Sequence, residues 1–293
     1  MSNPRVPYRM ASDRKRLPPP QPGKPLIVHV VINVENWPFD QPLPRKLLAG
    51  PHGQDKLPDV QNWSWMEYGL RTGFPRILRA LKDRNLPAST TINASVIDVY
   101  PRIAEKMLEA SWEFMGHCWT QKALQAEPDE VAVIERTLSH IRGFTGKKVR
   151  GWLGAGLSET FDTPDHLKAR GVDYVCDWVI DDLPDWMKTK HGPLIAMPYS
   201  LDLNDGPLWA GWGMHSNVQY ERTVWALETF ESELKENCRV MVLPLHPHLV
   251  GVPHRMNWFV KILDLLLARK DTIFMNGGQI ADWYTKVEPA PAA

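Results

Sequence analysis

Leu26–Val34, Leu-Ile-Val-His-Val-Val-Ile-Asn-Val, constrains this chain more than any other stretch. A continuous β-branched run of this kind has no polar face to offer water. It reads as a strand covered on both sides, the situation of a parallel sheet under helices. The run ends at Glu35-Asn36-Trp37-Pro38. A carboxylate at the end of a buried strand must be solvated, paired or used.

Further strands and helices alternate behind it. Residues 68–85 carry Phe74, Ile77, Leu78 and Leu81 on one helical face, and Ala88–Asn93 follows as a strand. Pro101–Ala110 reads as a helix leading to a strand at Trp112–Met115. Pro128-Asp-Glu opens a helix over roughly 129–144, with the acidic first turn that helix starts prefer. The pattern continues with strands at Lys148–Trp152, Tyr174–Trp178, Leu194–Pro198, Arg239–Leu245 and Thr272–Met275. Helices intervene from Thr163 to Gly171, over 221–236 and over 257–269, and 279–285 closes the series. About seven strand–helix alternations in one run predict a single-domain α/β barrel over residues 25–288. Residues 1–24 carry no hydrophobic period and are rich in Pro, Arg and Lys. They read as a flexible arm on the surface or along a neighbouring subunit. Residues 40–64 read as a long irregular connection, of the kind that serves function or assembly.

Composition narrows the class. Lys plus Arg equals Asp plus Glu at 34 each, so bulk charge calls for neither nucleic acid nor a membrane surface. Three separated cysteines, Cys118, Cys176 and Cys238, suggest neither a disulfide framework nor a structural zinc site. With no apolar run of membrane length and no leader-like segment at the start, the expectation is a cytoplasmic protein with a small-molecule substrate.

In a parallel barrel, the loops after the strands open on one face. Ten reactive-looking residues read as lying there: Glu35, Asn36, His117, Gln121, Arg150, Asp181, Asp182, Tyr199, Asn204 and His246. His117 follows Gly116 at the end of an aromatic run, Trp112–Gln121. His248 and His254 read as loop histidines, Asp202–Asp205 as turn chemistry, and Trp63, Trp65 and Trp212 as packing or subunit contact. Cys118 faces away from His117 on an extended chain, so a nucleophilic cysteine is not indicated.

The order Asn33-Val-Glu-Asn36, Gly116-His-Cys-Trp-Thr-Gln121, Arg150-Gly-Trp152, Tyr174 to Asp181-Asp-Leu-Pro184, Pro198-Tyr-Ser to Asn204-Asp205, and Leu245-His-Pro-His248 resembles the polysaccharide deacetylase (NodB-homology) superfamily. Within it, the motifs look most like the branch of allantoinases and cyclic imide hydrolases. The resemblance implies a distorted (β/α)7 TIM-like barrel, hydrolysis of a non-peptide C–N bond and a homo-oligomer, a dimer or tetramer. Metal-dependent members place Asp-Asp after the first strand and His-x-x-x-His after the third. Here those positions read Glu35-Asn36 and His117…Gln121. Neutral amides are poor zinc ligands, so no cofactor is expected, beyond weak binding of zinc through His117 with Glu35.

The expected chemistry is therefore hydrolysis of a small cyclic amide with little or no metal. Glu35 acts as general base, its pKa raised by a tryptophan-rich pocket of Trp37, Trp119 and Trp152. His117 and His246 stabilise the oxyanion and protonate the leaving nitrogen. Asn36, Gln121, Arg150, Asp181, Asp182, Tyr199 and Asn204 bind or orient the substrate. The alternatives are a metal-dependent carbohydrate N-deacetylase and a catalytically silent ligand-binding barrel.

Overall fold

A computed structural model describes residues 3–291. β1 (Leu26–Val34) is buried along its whole length and forms the hub of the sheet. It pairs in parallel with β2 (Ser89–Ile92), β8 (Arg239–Leu245) and β9 (Thr272–Phe274). Beyond β2, the parallel order runs through β3 (Glu113–Gly116), β4 (Gly151–Trp152), β5 (Tyr174–Val175) and β7 (Leu194–Ala196). β6 (Asp185–Met187) adds an antiparallel edge. The sheet curls into the α/β barrel that the alternation predicts, with the distortion that the resemblance implies.

Side chains alternate across β1, as a period of two requires. Leu26, Val28, Val30, Ile32 and Val34 pack outward on the helix layer, while Ile27 and Val31 join the lumen with Met115, Tyr174 and Val242. His29, Asn33 and Glu35 share the lumen parity, which delivers Glu35 to the C-terminal rim.

The helices are α1 (Val60–Tyr68), α2 (Phe74–Lys82), α3 (Val96–Val99), α4 (Pro101–Glu109), α5 (Glu130–Thr145), α6 (Thr163–Ala169), α7 (Val218–Glu233), α8 (Pro253–Ala268) and α9 (Gly277–Val287). α5 is capped by Asp129, whose carboxylate accepts from Ala132 N, and ends at Gly146 with φ 68°. α1 begins well before residue 68, inside the stretch expected to be irregular, and a π-turn at Gly69–Gly73 joins it to α2. Glycine is needed there. A Cβ on Gly69 would lie 2.3 Å from His248 N, and one on Gly73 would lie 2.1 Å from Pro247 O. The helix thereby lies directly against the segment after β8. α9 covers the N-terminal end of the barrel, its Gly277 and Gly278 amides donating to Ser89 Oγ and to Glu113 Oε2.

Residues 3–24, expected as a flexible arm, run along their own barrel. Arg5 pairs with Asp165, Arg14 with Asp181, Leu17 N donates to Asn237, and Trp283 Nε1 donates to Pro18 O.

Candidate active site

Three strand ends and one loop bring the site together. β1 supplies Glu35, β3 supplies His117, β8 supplies His246, and the loop after β7 supplies Asp205. All four side chains are buried, with Glu35 5%, His117 2% and His246 6% exposed. Glu35 Oε2 accepts from Trp37 Nε1 at 2.7 Å, while Oε1 faces two imidazoles. His246 Nε2 is 3.4 Å from it and His117 Nε2 is 3.9 Å from it.

The second nitrogen of each ring fixes its role. His117 Nδ1 lies 2.6 Å from Leu153 O. A carbonyl only accepts, so Nδ1 carries the proton and Nε2 is left without a hydrogen-bond partner, aimed at Glu35. His246 Nδ1 is 2.6 Å from Asp205 Oδ1, and Asp205 Oδ2 accepts from the backbone amides of His246 (2.7 Å) and Val250 (3.2 Å). Cys118, next to His117, has a left-handed backbone (φ 59°). Bonds from Ala94 N to Cys118 O and from Ser95 N to Trp119 O hold that turn. A non-glycine residue in this conformation costs energy and turns the chain sharply at the end of β3.

The electrostatics differ from the expectation for Glu35. Burial pushes its carboxyl up, but the facing His117 and His246 rings and the His246 charge hold it well below the usual carboxylate range. The groups nearest the carboxylate are imidazoles, and of the three tryptophans only Trp37 touches it, through a donated hydrogen bond. Burial pushes His246 down, but Asp205 and Glu35 outweigh it and raise the imidazole to about 9. Burial and the His246 charge push His248 down to about 3. Burial pushes the Cys118 thiol up to about 12, so no thiolate nucleophile is available.

Of the substrate-binding candidates, the structure gathers some and removes others. Tyr199 lies beneath Glu35, its hydroxyl 3.3 Å from Asn33 Oδ1. Asn204 adjoins Asp205, its Oδ1 accepting from Gly206 N. Asn36 Nδ2 donates to Ser95 Oγ at 2.9 Å, and Gln121 Oε1 accepts from Asn93 Nδ2 at 3.2 Å. Arg150 precedes β4 and sits at the opposite end of the barrel, bridging Asp173 and Asp282. Asp181 pairs with Arg14, and Asp182 O accepts from Val240 N beside the start of β8, again at the far end. The loop after β5 descends the barrel wall, so adjacency to a strand end in sequence does not keep these carboxylates on the rim. Trp152 is core, its ring lying where a Cβ on Gly116 would sit. Trp119 turns outward, stacked under the Arg136 guanidinium 3.4 Å from its ring.

Two site residues escaped the sequence reading. Asp205 read as turn chemistry and His248 as a loop histidine. His248 is buried between Trp37 and Trp65, at 5.3 and 4.6 Å between ring centres. It lies in the turn that follows β8, where no sequence period fixes the direction of a side chain.

The donor set does not fit the metal site of the metal-dependent relatives. The two positions that would supply further ligands are amides already engaged with Ser95 and Asn93. Among the described residues, no three His, Cys, Asp or Glu side chains are arranged to hold an ion.

The polysaccharide deacetylase family model matches residues 63–175. Over those residues the chain is similar to a polysaccharide deacetylase domain. The matched span holds His117 and Gln121, while Glu35, Asp205 and His246 lie outside it. Two solved structures share the fold. PuuE allantoinase superposes with a TM-score of 0.81 at 22% identity, covering 94% of this chain and 96% of its own. A Pseudomonas aeruginosa PAO1 protein described as a "probable Polysaccharide deacetylase" superposes at 0.81 and 21% identity, covering 92% and 94%. A Schizosaccharomyces pombe protein described as a "Putative polysaccharide deacetylase" is 23% identical over 254 residues, 78% of each chain. Hydrolysis of C–N bonds other than peptide bonds is the chemistry of the polysaccharide deacetylase family.

Proposed function

We propose that the protein hydrolyses a C–N bond of a small cyclic amide, such as a ureide, imide or lactam-like ring, with water activated by Glu35 and no metal required. The observation that carries this reading is the single carboxylate oxygen, Glu35 Oε1, facing the Nε2 atoms of both His117 and His246. A water beside the unpartnered His117 Nε2 is oriented by it and gives a proton to Glu35. The hydroxide attacks the ring carbonyl. His246, protonated at neutral pH and held by Asp205, faces the developing oxyanion and then protonates the leaving nitrogen. Glu35, now carrying the water's proton, returns it to His246 across their 3.4 Å separation, which restores both groups. Water supplies the proton that Glu35 takes, His246 supplies the one that the leaving nitrogen takes, and the return from Glu35 to His246 closes the cycle.

The nearly complete burial of these groups favours a small ring, since a polysaccharide chain needs an open groove. The fold likeness to PuuE allantoinase agrees with ring opening of a ureide. Turnover on a panel of allantoin, hydantoin, dihydrouracil, succinimide and a lactam, with chelator present, tests the proposal. Ring opening of at least one member is expected. Glu35→Gln should lower kcat by about 10²–10⁴-fold. Silence across the panel, or full activity in the variant, would sink it.

A further inference from the structure

Two arginines beside the site lack the partners that other arginines of this molecule have. Arg14, Arg84, Arg150, Arg239 and Arg269 each meet a carboxylate. Arg45 and Arg255 make no ion pair among the described residues, and Arg45 Nη1 and Arg255 Nε are buried donors without an acceptor. Both lie against the Asn204–Trp209 segment that carries Asp205. A Cβ on Gly206 would sit 3.3 Å from Arg45 Nη1 and 3.0 Å from Asn204 Oδ1, which places that guanidinium beside Asn204. Arg255 is stacked 4.4 Å over the Trp209 ring, with Nη1 donating to Leu249 O, three residues past His246. The Arg45 and Arg255 charges also reach the buried His248 ring and help keep it unprotonated.

The local charges do not cancel. Glu35 and Asp205 contribute two negative charges; His246, Arg45 and Arg255 contribute three positive ones. Leaving a partly buried cation unmatched is costly, and a planar guanidinium with free N–H groups matches a carboxylate in shape and charge. We infer that Arg45 and Arg255 receive a carboxylate of the substrate, so that the preferred substrate is a monoanionic ring amide. A phosphate dianion would overshoot the single excess charge. The inference rests on the cyclic-amide reading for the reacting group, and on the two arginines for the anion.

The test compares 5-carboxymethylhydantoin with its neutral methyl ester. Calorimetric binding to the Glu35→Gln protein does not depend on turnover. The carboxylate should bind about tenfold or more tightly than the ester, a preference that fades with added salt. Arg45→Gln should reduce that preference to about threefold or less. Arg255→Lys, which keeps the charge but loses the fork, should reduce it in part, and circular dichroism confirms that each variant is folded. Equal binding of acid and ester, binding of neither, or a preference untouched by Arg45→Gln overturns the inference. If the wild-type protein opens neutral rings without preference for the acid, the hydrolase reading stands and the anion fails. If the acid binds in an Arg45-dependent way but no ring is opened, the anion stands and the hydrolase reading fails.

Discussion

Asp205 decides what His246 can do. It accepts from Nδ1 and from two backbone amides, so it both orients the ring and favours its charged form. The folded-state pKa, about 9, lies above the ordinary 6.5. The stabilisation this pair contributes is therefore complete below about pH 6.5 and is lost as pH rises through about 9. Activity that needs a protonated His246 should fall along the same limb. Asp205→Asn removes the largest cause of the raise, and the basic limb of kcat/KM should move down by about one to two pH units. A limb that stays near 9 in the variant would show that another group governs it. At this scale the sequence was partly legible. Glu35, His117 and His246 stand where strands end, and that period is local information. Asp205 was hidden because Asn-Asp-Gly is also a common turn, and only tertiary contact distinguishes the uses. The sign of the Glu35 shift was hidden too, since it depends on which groups stand within hydrogen-bond reach.

At the scale of elements, the end of β3 is set by a steric requirement. Gly116 faces Trp152, and an added Cβ would lie 2.4 Å from the indole Cε3. The ring is buried in a packed core and has nowhere to move. Gly116→Ala should destabilise the fold by roughly 1–3 kcal/mol and displace His117, so that the melting temperature and kcat fall together. A variant with normal stability and activity would show that β4 can give way. Long, strongly patterned elements were readable: β1, β8, α4 and α5 lie close to where periodicity and capping put them. The short strands were not. β4 and β5 each pair over only two residues, too few for a period to fix direction or phase, and Arg150 was therefore assigned to the wrong end of β4. β6, Asp-Trp-Met beside Pro184, has no alternation to reveal it and is held by its neighbour β7.

For the whole molecule, the arm is a structural component of the barrel. The Arg14 side chain is 2% exposed and joins Asp181 to the carbonyls of Leu183 and Pro184. Arg14→Met would leave Asp181 and two carbonyls without their donor. A loss on the order of 2–4 kcal/mol is expected, read as a fall of several degrees in melting temperature. No change would mean that water replaces the guanidinium. The barrel itself was legible as a whole from the alternation of strands and helices. The docking of the arm was not, because prolines and scattered basic residues carry no period, and the partners are far away in sequence.

The same arm brings residues 7–15 beside residues 288–291. Lys15 pairs with Glu288, and Pro7, Tyr8 and Arg9 line one cleft with Pro289 and Pro291. That cleft lies along the β6 edge, while Glu35 stands at the strand ends on the C-terminal rim. The covalent order of this protein is therefore separable from its architecture. A short peptide joining Pro291 to Pro7, with a new opening cut in an exposed loop, would give a permuted polypeptide with the same barrel and the same site.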